Sequence, residues 1–152
     1  MKIAETLILR ADRQKRYEQL KARIVRSAKV QEGDQPAENS RELIAELERV
    51  VNELADLIKR INRTNTDTAF QDGKTVSDAL AERDVLAMRR SFYADLAQAA
   101  ALTQDRFMRT ELKYVSTVNV GETQKQADGL AKVYREMDAR IQELNWQTEL
   151  KA

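Results

Sequence analysis

Arg10, Gln14 and Lys21 occupy positions where a helical stripe should be apolar, which makes them the first candidates for chemistry. They interrupt the register Ile3, Leu7, Arg10, Gln14, Tyr17, Lys21, Ile24, Ala28, whose spacings alternate between four and three. An unpaired charge buried on such a stripe costs several kcal/mol, so partners are expected. Asp95, which interrupts the stripe of a third helical segment, and Glu46 on a second one are the natural choices, with Lys21 near one or both. The resulting interior polar layer would bind a small anion or fix helix register. The simpler reading is that helix one is peripheral and its long bases reach outward to water.

A second group gathers at one end of the expected fold: Arg60, Arg63, Asn65, Lys74, Asn145 and Trp146, with Lys151 close by. Trp146 is the only tryptophan. Among bases it could stack a nucleobase or help hold an anion, forming a ligand-binding pole. Alternatively it closes the end of the bundle and packs on Phe70. Asp72-Gly73-Lys74-Thr75 contains Gly-Lys-Thr but lacks the upstream glycine of a phosphate loop, so it reads as a turn.

Helix one carries Lys15, Arg16, Arg23 and Arg26 on the side opposite its stripe, with Arg13 toward one flank, a face that could meet a nucleic-acid backbone. The plainer alternative is a solvated charged face. Catalysis has little to work with. The chain has no histidine and no cysteine, so the commonest general base and the thiolate nucleophile are both missing. No carboxylate pair stands out from ordinary helix glutamates. Metal would need an all-oxygen site, and no Asp-rich loop offers one. No catalytic residue, metal ligand or cofactor is therefore expected.

These residues must be held by helices. Leu43, Leu47, Val50, Leu54, Leu57 and Ile61 form one heptad stripe, and Ala127, Leu130, Tyr134, Met137, Ile141 and Leu144 form another. The spacing predicts helices over about 2–29, 39–64, 77–103 and 119–145. Asn39 with Glu42 and Thr75 with Asp78 have capping-box spacing. Helix three has a looser stripe: Ala81, Val85, Met88, Phe92, Leu96 and Ala99. Between helices two and three, strand-forming residues flank Asp72-Gly73, which predicts a small β-hairpin over 65–76. Leu112 to Val118 reads as a strand or an extended crossover. The expected fold is mainly α, an up-down four-helix bundle of two αα-hairpins in a single domain, 1–152. Arg60-Ile61-x-x-x-Asn65-x-x-Thr68 is echoed by Arg140-Ile141-x-x-x-Asn145-x-x-Thr148, which suggests that both helices end alike, with asparagine in the left-handed conformation.

Composition agrees with long helices: 34% of the 152 residues are charged, 5% are aromatic, and there are 4 glycines and 1 proline. The net charge of +1 gives no global pull toward nucleic acid or an anionic membrane. Basic residues dominate up to Val30 and acidic ones from there to Glu53, which pairs helix one with helix two. The lack of cysteine, of a signal-like leader and of a bilayer-spanning apolar run predicts a cytoplasmic protein without membrane contact.

Several stretches together resemble a known family. They are Lys2-Ile-Ala-Glu-Thr-Leu-Ile-Leu-Arg-Ala-Asp12, Val30-Gln-Glu-Gly-Asp34, Ile61-Asn-Arg-Thr-Asn65, Asp72-Gly-Lys-Thr75 with Ala79-Leu-Ala-Glu-Arg-Asp84, Val115-Ser-Thr-Val118, and Arg140-Ile-Gln-Glu-Leu-Asn-Trp146. Spread over nearly the whole chain, they are similar to small bacterial helical proteins of which some carry the label septicolysin. The resemblance implies a single helical domain of bacterial origin, and the label implies a membrane-damaging cytolysin.

The residues themselves favour a non-catalytic structural or interaction protein that self-associates. The unpaired Leu112–Val118 stretch suggests a homo-oligomer, because an open strand edge invites a second chain. A nucleic-acid or nucleotide-binding module is the alternative.

Overall fold

The computed structural model describes residues 1–101 and 113–152, and the described chain is mainly helical. It has four helices: α1 Ile3–Arg26, α2 Ser40–Asp67, α3 Val76–Ala100 and α4 Val120–Gln147. They divide between two compact units, one of residues Met1–Ala69 with Glu143–Ala152 and the other of Phe70–Gln142.

The first unit is built on the α1–α2 hairpin. Ion pairs fix its direction: Arg13 meets Glu53, Arg16 meets Glu46 and Arg23 meets Glu38, so numbers rise on one helix as they fall on the other. Beneath this ladder Leu20, Leu43 and Val50 form a buried cluster, flanked by Tyr17, Ile24 and Leu47. Full burial of one such aliphatic side chain is worth about 1.5–3 kcal/mol. The α2 stripe lies as its spacing requires, with Leu43, Val50, Leu57 and Ile61 buried. Gly33, with φ of +92°, serves the turn between the helices, and Asn39 caps α2 by accepting from the amides of Arg41 and Glu42.

The α1 stripe has a different phase from the expected one. Ile3, Arg10, Tyr17 and Ile24 are on it, but the intervening positions are Thr6, Arg13 and Leu20, not Leu7, Gln14 and Lys21. Thr6 and Leu20 are fully buried, whereas Gln14 and Lys21 are exposed. Both phases are heptads. The spacing 3-4 buries Leu20, and the spacing 4-3 would have buried Lys21 in its place, so the cost of burying a charge decides between them.

No strand is present among the described residues, so the β-hairpin over 65–76 is corrected. Helix α2 runs through Asp67 instead. The hydroxyls of Thr66 and Thr68 donate to the carbonyls of Asn62 and Thr64, at 2.9 and 2.7 Å, and so serve the helix end rather than a strand. The Asp72-Gly73 turn itself is present, with φ of 51° and 75°, and is closed by a 2.8 Å bond from the Phe70 amide to the Lys74 carbonyl. Asn65 and Asn145 have no positive φ. Among the described residues Asp72 is the only non-glycine that does, so the echoed helix ends do not use left-handed asparagine.

In the second unit, the Thr75 hydroxyl accepts from the Asp78 amide and the Asp78 carboxylate accepts from the Thr75 amide, a full capping box that starts α3. The Asn119 side chain accepts from the Glu122 amide at 3.0 Å and starts α4. Arg83 pairs with Asp138 at 2.8 Å, and the Arg90 guanidinium lies 5.3 Å from the Tyr134 ring centre, so α3 and α4 are antiparallel. The α4 stripe is as expected, with Ala127, Leu130 and Ile141 buried. Lys113 to Ser116 form no regular element, and Leu112 and the expected end of helix three at Thr103 lie outside the described residues.

Candidate functional site

Of the residues that the sequence groups at one pole, Arg60 and Arg63 face the chain's own backbone. Residues following α4 cross beside the start of α1: the Ile3 amide donates to the Thr148 carbonyl at 3.0 Å and the Leu150 amide to the Met1 carbonyl at 2.8 Å. The same segment continues along the end of α2. There Arg60 donates to the Lys151 carbonyl at 3.1 Å and Arg63 to the Ala152 carbonyl. Thr64, fully buried, donates to the Arg60 carbonyl and accepts from the Lys151 amide, at 2.8 and 3.0 Å. The Lys151 ammonium reaches Asp67 at 2.9 Å.

Glu149 anchors the other side. Its carboxylate lies 2.7 Å from the Lys2 ammonium and 3.0 Å from the amino group of Met1, and these two donors hold its pKa below the usual glutamate value. Lys2 also donates to the Gln147 carbonyl at 3.1 Å, a cation on the exposed end of a helix dipole. Arg60 and Arg63 are therefore tail-holding residues. Asn65 is half-buried and Asn145 is 6% exposed. Trp146 is 58% exposed and so does not close a bundle end. Lys74, placed in the other unit, pairs with Glu82 at 2.9 Å. Thr64, Glu149 and Lys2 were missing from the candidates. For Thr64 the signal was available, since the α2 heptad continues from Leu57 and Ile61 through Thr64.

The residues expected in an interior polar layer are mostly exposed or paired within their own unit. Gln14, Lys21 and Asp95 are exposed, Arg10 is half-buried, and Glu46 accepts from Arg16 Nε at 2.9 Å rather than serving Lys21. Arg16 and Arg23, expected on the outer face of α1, thus meet Glu46 of α2 and Glu38 just before it. The Arg23–Glu38 hydrogen bonds hold the Glu38 pKa below its ordinary value. Among the described residues no three His, Cys, Asp or Glu side chains are placed to hold a metal ion, and no helix is long and apolar enough to cross a membrane.

The unexpected surface is on α3. Its line of burial runs through Val76, Ala79, Arg83, Leu86, Tyr93 and Ala97, residues that are small, half-buried or charged. Most of the stripe expected to be core points the other way: Val85 is 52% exposed, Met88 71% and Phe92 58%, with Ala81 and Ala99 also exposed, while Leu96 is half-buried. Beside it, Ala81, Val85 and Leu86 of α3 and Val133 and Met137 of α4 line a shallow apolar groove, edged by Glu82 and Arg89.

The family described as "Family of unknown function (DUF6847)" matches residues 10–150. Among solved structures, the chain is similar to the crystal structure of a functionally unknown conserved protein from Corynebacterium diphtheriae. The two share 50% identity over 99% of each chain, with a TM-score of 0.94. None of the curated proteins compared matches.

Proposed function

The chain belongs to the DUF6847 family, a family of unknown function, and from that premise we propose that it is a non-catalytic interaction protein that self-associates in the cytoplasm. One observation carries this reading: the large apolar side chains Val85, Met88 and Phe92 stand in water at helical spacing. Contiguous exposed apolar surface marks a site of association. The charged groups support the same reading from the other side. Arg60 and Arg63 hold the chain's own carbonyls, Arg13 and Arg16 hold glutamates of α2, and Arg23 holds Glu38 just before it. Polar recognition of a ligand would have to break those contacts.

Static light scattering on the purified protein tests the proposal. A dimer or larger closed oligomer at tens of micromolar is the expected result, and a strict monomer sinks it. The cytolysin implied by the septicolysin resemblance is a separate reading, with its own assay. Dye release from anionic and neutral vesicles at the same concentration would support it, whereas the interaction protein leaves both intact.

A further inference from the structure

We propose that a second copy of this chain occupies the exposed stripe of α3, and that the two α3 helices pack antiparallel about a twofold axis at the level of Val85 and Leu86. The inference rests on the self-association reading and names the surface and the register.

The stripe has the form of a coiled-coil seam. Ala81, Val85, Met88 and Phe92 are spaced by four, three and four, and all four are exposed. A helix of 25 residues is about 37 Å long, enough for several layers of such a seam. The buried side of α3 is the poorer of its two apolar faces, since Arg83 and two alanines, Ala79 and Ala97, are on it. A lone subunit therefore leaves the stronger stripe unused.

Charge selects the occupant. Glu82 and Arg89 edge the groove beside the stripe, seven residues apart and so on one side of the helix. A second α3 running the opposite way presents Arg89 where Glu82 needs a cation and Glu82 where Arg89 needs an anion. Both pairs form at once, and this fixes the axis midway between residues 82 and 89. In a parallel pair the Glu82 and Arg89 of the two copies lie on opposite flanks of the seam, so only the antiparallel arrangement brings Glu82 to its partner's Arg89. Arg89 makes no ion pair among the described residues. Glu82 does pair with Lys74, at 2.9 Å, but its side chain is 41% exposed and a carboxylate accepts more than one donor. Val133 and Met137 of α4 extend the apolar surface on that flank.

The experiment combines light scattering with single-cysteine oxidation, which is clean because the chain has no cysteine of its own. Val85→Cys is expected to form a disulfide-linked dimer on mild oxidation, while Lys132→Cys, exposed on α4, is not. Met88→Glu with Phe92→Glu is expected to raise the dimer dissociation constant at least about a hundredfold, about tenfold for each seam residue, with unchanged helicity by circular dichroism. Glu82→Arg and Arg89→Glu should each weaken the dimer, and the double exchange should restore it.

A wild-type monomer overturns both the self-association reading and this inference. A dimer that survives Met88→Glu/Phe92→Glu, with no crosslink at residue 85, overturns the surface alone and leaves self-association standing. A dimer that is weakened by each single charge reversal and not restored by the double overturns the antiparallel register. A monomer that captures a different protein through the stripe overturns the second copy as occupant.

Discussion

At Glu149, two cations meet one carboxylate and hold its pKa below the ordinary glutamate value. A carboxyl group whose folded pKa is depressed contributes stability above its unfolded pKa and loses it as the pH falls through the folded one. Glu149→Gln is therefore expected to lower the urea midpoint at neutral pH. The difference from the parent protein should shrink on acidification past the usual carboxylate range, about pH 4, and close below it. Arg83 is a sharper case, because its side chain is 22% exposed and that of its partner Asp138 is 34% exposed. Asp138→Ala leaves a half-buried guanidinium without its main acceptor and should cost about 1–3 kcal/mol in denaturant unfolding. Arg83→Met removes the charge along with the pair and should cost less. Equal costs for the two would show that the guanidinium is already served by water.

Among the elements, α2 and α4 were legible from sequence because their heptads contain no competing phase: Leu43 through Ile61 and Ala127 through Leu144 each offer one apolar line. Helix α1 offers two lines that share Ile3, Arg10, Tyr17 and Ile24, and composition alone did not choose between Leu20 and Lys21. Its charges chose, through Glu46 and Glu53 on α2 and Glu38 just before it, which call for Arg16, Arg13 and Arg23 on the neighbouring face. The expected pairing of basic helix one with acidic helix two is what the ion-pair ladder shows. Arg16→Glu accordingly sets two carboxylates against each other at Glu46. Its expected effect is a lower melting temperature, reversed at least in part by adding Glu46→Arg. Loss of nucleic-acid binding by Arg16→Glu, with unchanged melting, would point to the nucleic-acid alternative instead. At 65–76 the turn chemistry was legible and the flanks were not, because threonine favours a strand by propensity yet can also close a helix end by bonding back four residues.

For the whole molecule, the missed features are those that depend on distant segments coming together. Thr64 and Lys151 are 87 residues apart, Lys2 and Glu149 are separated by almost the whole chain, and no local pattern announces that they meet. Helix α3 was misread for a different reason. The expectation that the more apolar face is the buried face fails at α3, which has Val85, Met88 and Phe92 outside and Arg83 inside. The consequence is a choice of rotation. A helix with an apolar line on each side could roll about its own axis and present either line to α4. Arg83, tied to Asp138, and Arg90, lying over Tyr134, act as pins against that roll, in the way that polar groups select one packing among near-equals. Replacing both arginines by leucine should leave the helix content intact while releasing the pins. Duplicated amide resonances confined to α3 and the facing turns of α4 would reveal the rolled state, and a single sharp set would show that packing alone holds the angle.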